Sequence, residues 1–425
     1  MAEKPISPEE QKRLRDRETF ARWKAEVDFA VKDPAYAEWL RQMKKINKRY
    51  RDERSNAASK AKRRLNILWS NVQTLKPALY SRMPQPVVER RFMDRDPAAR
   101  TASLILERVC LFQMEVGYFH SAVERSIFDY LLSGIAQVWV RYEPHIETVI
   151  EAGENEEIEG QERSAEDVAE EGDGTPYEKV AFEKVCVDYV HPEDFVWGIA
   201  RCWNEVPWVR KRSYMTHSEI AARFFAGDLQ AAKQVTLDYV PSNLSQQDQD
   251  DRSLGFVKKA EIWEIWNKSD RRVYFIAPGT PGVVLEERDD PLKLEGFFPC
   301  PEPLFATQTN DTIVPVPDFI LYQDQAQELD DLTNRIANLT KAVKAAGVYD
   351  SSVSSLKRLL EEGFDNKLIP VSEWAAFAEK GGAKGAISLL PMEEIINVLL
   401  RLYEARAQVK SDLYEITGIS DIVRG

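Results

Sequence analysis

Between Asp318 and Ala345, Phe319, Tyr322, Ala326, Leu329, Leu332, Ile336, Leu339 and Val343 recur at steps of three and four, the spacing of one helix face. At a rise of 1.5 Å per residue this makes an apolar seam roughly 40 Å long. Asp324, Glu328, Asp330 and Asp331 fall among its polar positions and are expected on a solvated face. A second seam opens near Pro391 and carries Met392, Ile395, Ile396, Leu399, Leu402, Tyr403, Val409, Leu413 and Ile416 before Gly418 caps it. The two long helices bracket residues 346–390. There the pattern predicts an extended Val348-Tyr-Asp, a short amphipathic helix over Ser354–Gly363, a strand at Lys367–Val371 and a turn at Gly381, Gly382 and Gly385.

Toward the N-terminus, Ser7-Pro8-Glu9-Glu10 reads as an N-cap, a proline at the first helical position and a capping-box glutamate. The helix it opens places Phe20, Trp23, Val27 and Val31 at helical spacing. A second helical stretch from about Tyr36 to Tyr80 carries Trp39, Leu40, Met43, Ile46, Leu65, Leu68, Trp69 and Val72, with Pro77 or Pro84 as its stop. Arg100–Ser133 is a third region, one helix or two broken near Gly117, with Leu104, Val109, Leu111, Phe112, Val123, Ile127, Phe128 and Leu131 expected on its core face. The period then changes to two. Ala136, Val138, Val140 and Tyr142 alternate with Trp139 and Arg141, and Val180, Phe182, Val185, Val187 and Tyr189 repeat the pattern, predicting half-buried strands. A helix is expected after Thr216 or Ser218, and Ile262–Ala277 reads as a hairpin turning at Lys268–Arg271, half of it buried. Trp197, Trp203, Trp208, Trp263 and Trp266 are read as mostly core.

Composition changes this picture in two places. Residues 151–175 hold eleven acidic side chains, one basic and no aromatic, too little apolar surface to offset ordering entropy, so they are expected to form a mobile, dispensable insertion. Over the 425 residues, 57 basic and 70 acidic side chains leave a net charge of -13, which argues against general adhesion to nucleic acid or anionic lipid. Hydrophobic residues at 44% suffice for sizeable cores, in two or three domains by length. The fold class expected is α+β, mainly helical.

Candidate chemistry is sparse. Cys110, Cys186, Cys202 and Cys300 form no C-x-x-C pair, and His120, His145, His191 and His217 sit in unrelated contexts, so no metal or cofactor is expected. An NTP-driven motor needs a phosphate loop of the G-x-x-x-x-G-K-[ST] kind; the segment around Lys384 lacks its hydroxyl residue. No nucleophile elbow is present either. The chain lacks the apolar core of a secretory signal and any apolar run of about 20 residues, so a soluble, membrane-free protein is expected. Arg41–Arg64 contains eleven lysines and arginines. They fit either contacts to DNA phosphates, a scaffold protein or an acidic neighbour, or a charged helix face interleaved with Asp52 and Glu53, the latter favoured because no aromatics are interleaved.

With these residues laid out, the chain resembles the portal (head-to-tail connector) proteins of tailed bacteriophages, especially those of short-tailed phages. The resemblance is carried by Asn66–Phe92, by His191–Trp197 (HPEDFVW), by Pro301–Ile336 and by Leu413–Gly425 (LYEITGISDIVRG), and by their order along nearly the whole chain. It implies a homo-oligomeric ring, usually of twelve subunits in that family, through which double-stranded DNA is packaged and ejected without sequence specificity. It further implies a wing over residues 1–317, a first stem helix at 318–345, a clip at 346–390, a second stem helix at 391–417 and, at 418–425, the opening of a channel-loop region beyond which related portals continue. The partners implied are the terminase large subunit, capsid and scaffolding proteins and tail adaptors; the place implied is the capsid vertex of the virion, with assembly in the host cytoplasm. No catalysis is implied. Glu328, Asp331, Arg335, Arg401 and Lys410 become channel or stem candidates, and Glu361, Glu362, Lys367, Trp374 and Phe377 clip docking candidates. The competing classes are a metal-dependent DNA-processing enzyme whose carboxylates converge only in the fold, and a helical scaffold or adaptor that binds no DNA.

Overall fold

The computed structural model describes residues 7–54, 63–90, 96–150, 176–239, 258–342, 347–349, 387–389 and 392–419. The acidic insertion at 151–175 and most of the 346–390 segment, including its expected helix, strand and glycine turn, lie outside the described residues. The chain divides into two compact units, one formed by 1–47 and 72–318, the other by 48–71 and 319–425. The sequence expectation kept everything before 318 together. It did not anticipate that 48–71 joins the two long helices.

In the first unit, α1 (Pro8–Val31) starts as expected. Ser7 Oγ accepts the Glu10 N–H at 3.3 Å, and the Glu10 carboxylate returns the contact. Its Phe20, Trp23 and Val27 are buried. Helix α2 (Pro34–Tyr50) is capped by Asp33, whose Oδ1 accepts the N–H groups of Ala35 and Tyr36 at 3.1 Å. The predicted continuous run to Tyr80 is broken: α3 occupies Ile67–Leu79. The break has two causes. Asp52 takes a left-handed backbone at φ 51° and ends the first helix, while the Asn66 amide donates to the carbonyls of Arg49 and Tyr50.

The centre of this unit is a five-stranded antiparallel sheet in the order β4 (Phe195–Trp197), β5 (Trp208–Met215), β6 (Ala260–Asn267), β7 (Arg272–Ile276) and β8 (Val284–Asp289). Trp23 of α1 meets Trp208 at 6.1 Å and Tyr274 at 5.3 Å. Trp266, which alternates to the opposite face, meets Trp139 at 6.3 Å and Phe297 at 5.3 Å. Both faces are therefore covered, and β6 is buried along nearly its whole length instead of by half. Four of the five singled-out tryptophans are buried, with Trp203 partly so. Helices α6 (His217–Phe224, with Thr216 as the cap) and α7 (Leu229–Ala232) set Ile220, Ala221 and Ala232 in one cluster with Ile262 and Ala277.

Three charged side chains are built into this core. Arg210 stacks its guanidinium 5.2 Å from the Trp263 ring, and burial pulls its pKa down to about 10. On the other face Lys211 pairs with Glu264 at 3.3 Å, and Glu264 accepts the Trp266 indole N–H at 3.0 Å.

The third helical region divides into α4 (Pro97–Val116) and α5 (Phe119–Ser133), the two-helix alternative. Gly117 is required at the joint: its carbonyl accepts the Val187 N–H at 2.7 Å, and a Cβ there would lie 2.1 Å from the Val185 carbonyl oxygen. After the short β1 (Ile135–Ala136), which pairs with β9 (Leu304–Phe305), β2 (Val138–Ile150) and β3 (Pro176–Tyr189) form a long antiparallel hairpin. Half-burial holds only at its base, where Trp139 and Cys186 are buried. Tyr142, Ile146, Val180 and Phe182 farther out are exposed.

In the second unit, α8 (Asp318–Ala342) and α9 (Met392–Thr417) are the two long helices expected. Leu329, Leu332 and Ile336 are buried in one cluster with Leu402 and Val409, and Tyr322 and Ala326 in another with Leu413 and Ile67. The α9 seam is narrower than predicted, since Ile396, Tyr403 and Ile416 are exposed. Gly418 follows with φ 64°, the left-handed backbone of a C-terminal cap. Short β10 (Gly347–Tyr349) and β11 (Ile387–Leu389) pair antiparallel, Gly347 opposite Leu389 and Tyr349 opposite Ile387.

Candidate stem and docking surfaces

Burying the α8 and α9 seams leaves the other helix faces to water, and the stem candidates lie there. Glu328, Asp331, Arg335, Arg401 and Lys410 are all exposed. Asp331 accepts a hydrogen bond from the Gln327 amide at 3.3 Å, one turn back, and the Lys410 ammonium lies 5.1 Å from the Tyr414 ring centre. Among the described residues, Glu328, Arg335 and Arg401 form no ion pair. They are exposed charges of both signs, and Arg401 and Lys410, nine residues apart on α9, lie about 180° round the helix from each other, so the five do not share one face. The docking candidates Glu361, Glu362, Lys367, Trp374 and Phe377 lie outside the described residues.

Asp330 departs from the expected solvated run. Its neighbours Glu328 and Asp331 face water, yet Asp330 is buried. Its Oδ1 accepts the Leu65 N–H at 2.8 Å, and its Oδ2 lies 2.6 Å from Arg49 Nη2 and 3.6 Å from Arg64 Nε. One turn on, Asn334 Oδ1 accepts the Arg63 N–H at 2.6 Å. Residues 63–65 are thus pinned to α8 by side chains that point at backbone donors. Burial raises the Asp330 pKa above the ordinary carboxylate value, against the lowering pull of Arg49. Sequence reasoning missed this cluster, although a signal exists. Ala326, Asp330, Asn334 and Ala337 follow one another at steps of four, four and three, a second stripe beside the leucine seam made of small and polar residues.

The same contacts bear on the two readings of the basic segment. Arg49 and Arg64 meet Asp330, Arg54 and Arg64 meet Asp52, Arg51 meets Glu53, Arg41 meets Glu38 and Lys44 meets Glu193. Six of the eleven cations are thus paired within the chain, in keeping with the interleaved-charge reading, while Lys45, Lys48 and Arg63 form no ion pair among the described residues and Lys60 and Lys62 lie outside them.

Elsewhere in the first unit, a cleft of about 330 Å³ is lined by Tyr36, Trp197 and Ile313 together with Asp33, Glu205 and Asp311. Arg141 and Lys184 flank Glu143 on the hairpin at 2.6 and 3.3 Å and hold its pKa down to about 2. Among the described residues no three His, Cys, Asp or Glu side chains are grouped to hold a metal ion, and no helix is long and apolar enough to cross a membrane. Neither protein-family models nor curated proteins match the chain.

Proposed function

We propose that the chain is a portal subunit of a tailed phage: a ring-forming structural protein, without catalytic activity of its own, through which double-stranded DNA enters and leaves the capsid. The observation that carries this reading is the hairpin-like return of the second unit. Helices α8 and α9 share one buried seam, and the β10–β11 pairing draws together the two ends of residues 350–386. Two stem helices with a compact projecting segment between them need that arrangement. Exposed charges of both signs at Glu328, Asp331 and Arg335 on one side of α8, and at Arg401 and Lys410 on α9, suit a wall past which a phosphate polymer slides, because they give it no continuous basic track to bind. The terminase large subunit supplies ATP hydrolysis and docks at the clip, and tail adaptors take its place after filling. Capsid and scaffolding proteins surround the assembly at the virion vertex.

Negative-stain imaging with sedimentation velocity tests the reading. The expected result is a toroidal particle with a central opening. A single-chain species at every concentration, or ATP hydrolysis or DNA cleavage lost on mutating carboxylates, sinks it.

A further inference from the structure

The cleft of about 330 Å³ in the first unit is built by three separate stretches of chain: the junction of α1 with α2, the turn that follows β4, and the loop at 311–314. Its walls are fixed. Tyr36 meets Trp197 edge-on at 5.7 Å and donates its hydroxyl to the Phe195 carbonyl at 3.4 Å, and Ile313 is buried. The turn after β4 has no room to relax: the Gly198 N–H donates to the Trp208 carbonyl at 2.9 Å, and a Cβ on Gly198 would lie 2.6 Å from Pro207 Cγ. Ile199, the next lining residue, is nevertheless 54% exposed and forms an apolar lip. The volume falls within the roughly 300–1,000 Å³ of preformed small-molecule sites.

The charges lining the cleft do not cancel. Arg201 and Glu205 satisfy each other, the Arg201 backbone N–H and guanidinium donating to the two carboxylate oxygens at 3.1 and 3.2 Å. Asp33, half-buried, uses only Oδ1, which accepts the N–H groups that begin α2. Its Oδ2 and both carboxylate oxygens of Asp311 have no hydrogen-bond or ion-pair partner among the described residues. Two carboxylates therefore stand over beside apolar walls. A neutral apolar occupant would take them out of water unpaired, and an anion would be repelled. A bare metal ion needs more oxygen ligands than these, and among the described residues no three His, Cys, Asp or Glu side chains are grouped to supply them. A cation on a short apolar stem meets both demands, its charge at the carboxylates and its methylenes on Ile199 and Val314.

We propose that this cleft binds a small organic cation, an alkylammonium or alkylguanidinium group on a stem of a few methylenes, held by Asp33 and Asp311. The group comes either as a free amine or as a lysine or arginine side chain presented by a partner. The lining residues all belong to the first unit, and the proposal does not rest on the portal reading.

The test is calorimetric titration of the full chain at an ionic strength of about 0.1 M, where diffuse attraction is largely screened. The probes are putrescine, butylamine, a capped glycine-lysine-glycine peptide, butanol and butyrate. The amines are expected to bind saturably with Kd of about 1 mM, as tight as so small a ligand reaches, and butanol and butyrate not at all. Asp33→Asn with Asp311→Asn should weaken amine binding at least tenfold without changing the melting temperature, because asparagine still caps α2 and Asp311 is exposed. A second variant, Ile199→Lys, brings a tethered ammonium to the lip of the cleft and should weaken it at least threefold. Glu295→Gln, which removes an exposed carboxylate that does not line the cleft, should leave it unchanged. Tighter binding of the peptide than of putrescine assigns the site to a partner's side chain, and the reverse assigns it to a free amine. No saturable binding of any amine, equal binding of butanol, or undiminished binding by both the double variant and Ile199→Lys overturns the proposal.

Discussion

The α8–α9 pair and the α4–hairpin region carry similar apolar patterns in sequence and use them in opposite ways. Along α8, residues at steps of three and four meet the matching residues of α9, so Leu329, Leu332, Ile336, Leu402 and Val409 leave water together. Along α4, an equally apolar run finds only partial cover from α5 and β3, and no residue becomes buried. Periodicity reports that a face is apolar. It does not report whether the covering surface lies in the same chain. The difference separates side chains that hold the fold from side chains free to hold a partner.

The largest expected effect breaks the satisfied side of this comparison. Leu332→Asp places an unpaired charge inside the seam and should destabilise the second unit by about 3–5 kcal/mol. Leu399→Asp should cost less than half as much, because Leu399 is only partly buried. Hydrogen exchange of α8 and α9 amides under mild denaturant reads both. Equal losses in the two variants would mean that α9 turns Leu399, and not Leu402, into the seam.

Next in size is Asp330. Asp330→Ala strands the Leu65 N–H and the guanidinium of Arg49 and should cost about 3 kcal/mol, while Asp330→Asn keeps an acceptor for Leu65 and should lose roughly half of that. Denaturant midpoints followed in the second unit check the order. If Asn and Ala behave alike, the backbone hydrogen bond contributes nothing.

How much of this was legible follows from the physics of each part. The capping box at Ser7, the helix start after Thr216, the break near Gly117 as one of two alternatives, the Lys268–Arg271 hairpin and the two long helices were readable, because each depends on residues close in sequence. The Asp52 break was not: it depends on Asn66, fourteen residues on, reaching back to cap Arg49 and Tyr50. Leu104, Val109 and Phe112 were expected in a core and are exposed, and Asp330 was expected in water and is buried. Both errors have one origin, since burial depends on which other surface arrives. Of the candidate site, exposure of Glu328 and Asp331 on a solvated face was legible, and the Arg49–Arg64–Asp330 cluster was not.

Acid separates the two regions by sign. Glu143 on the hairpin has its pKa lowered from 4.5 to about 2 by Arg141 and Lys184, so its contribution is present above the ordinary value and is lost as pH falls toward about 2. Asp330 has a raised pKa, so the folded chain binds its proton more readily than the unfolded chain does. Its contribution is largest at low pH and declines as pH rises through the raised value. Hydrogen exchange at about pH 6 and about pH 3 should therefore show protection falling in β2–β3 relative to residues 63–65 and α8. A preferential loss at residues 63–65 would reverse the sign argued for Asp330.

The smallest effect expected is at Asp331, and it sharpens the comparison within a single helix. Asp330 and Asp331 are the same residue type one position apart, about 100° round the helix from each other. Asp330 faces backbone and guanidinium donors out of water. Asp331 faces solvent with one weak contact, the Gln327 amide at 3.3 Å. Removing that charge leaves no buried donor stranded, and an exposed helix contact of this kind is worth only about 0.2–0.5 kcal/mol. Asp331→Asn should accordingly shift the denaturation of the second unit by no more than about 0.5 kcal/mol. Under the portal proposal its consequence belongs to DNA passage and not to folding, so packaging by assembled particles is the second readout. A stability loss as large as that of Asp330→Ala would show Asp331 to be an internal support of the helix pair, and the exposed charged face would then be assigned to the wrong side of α8.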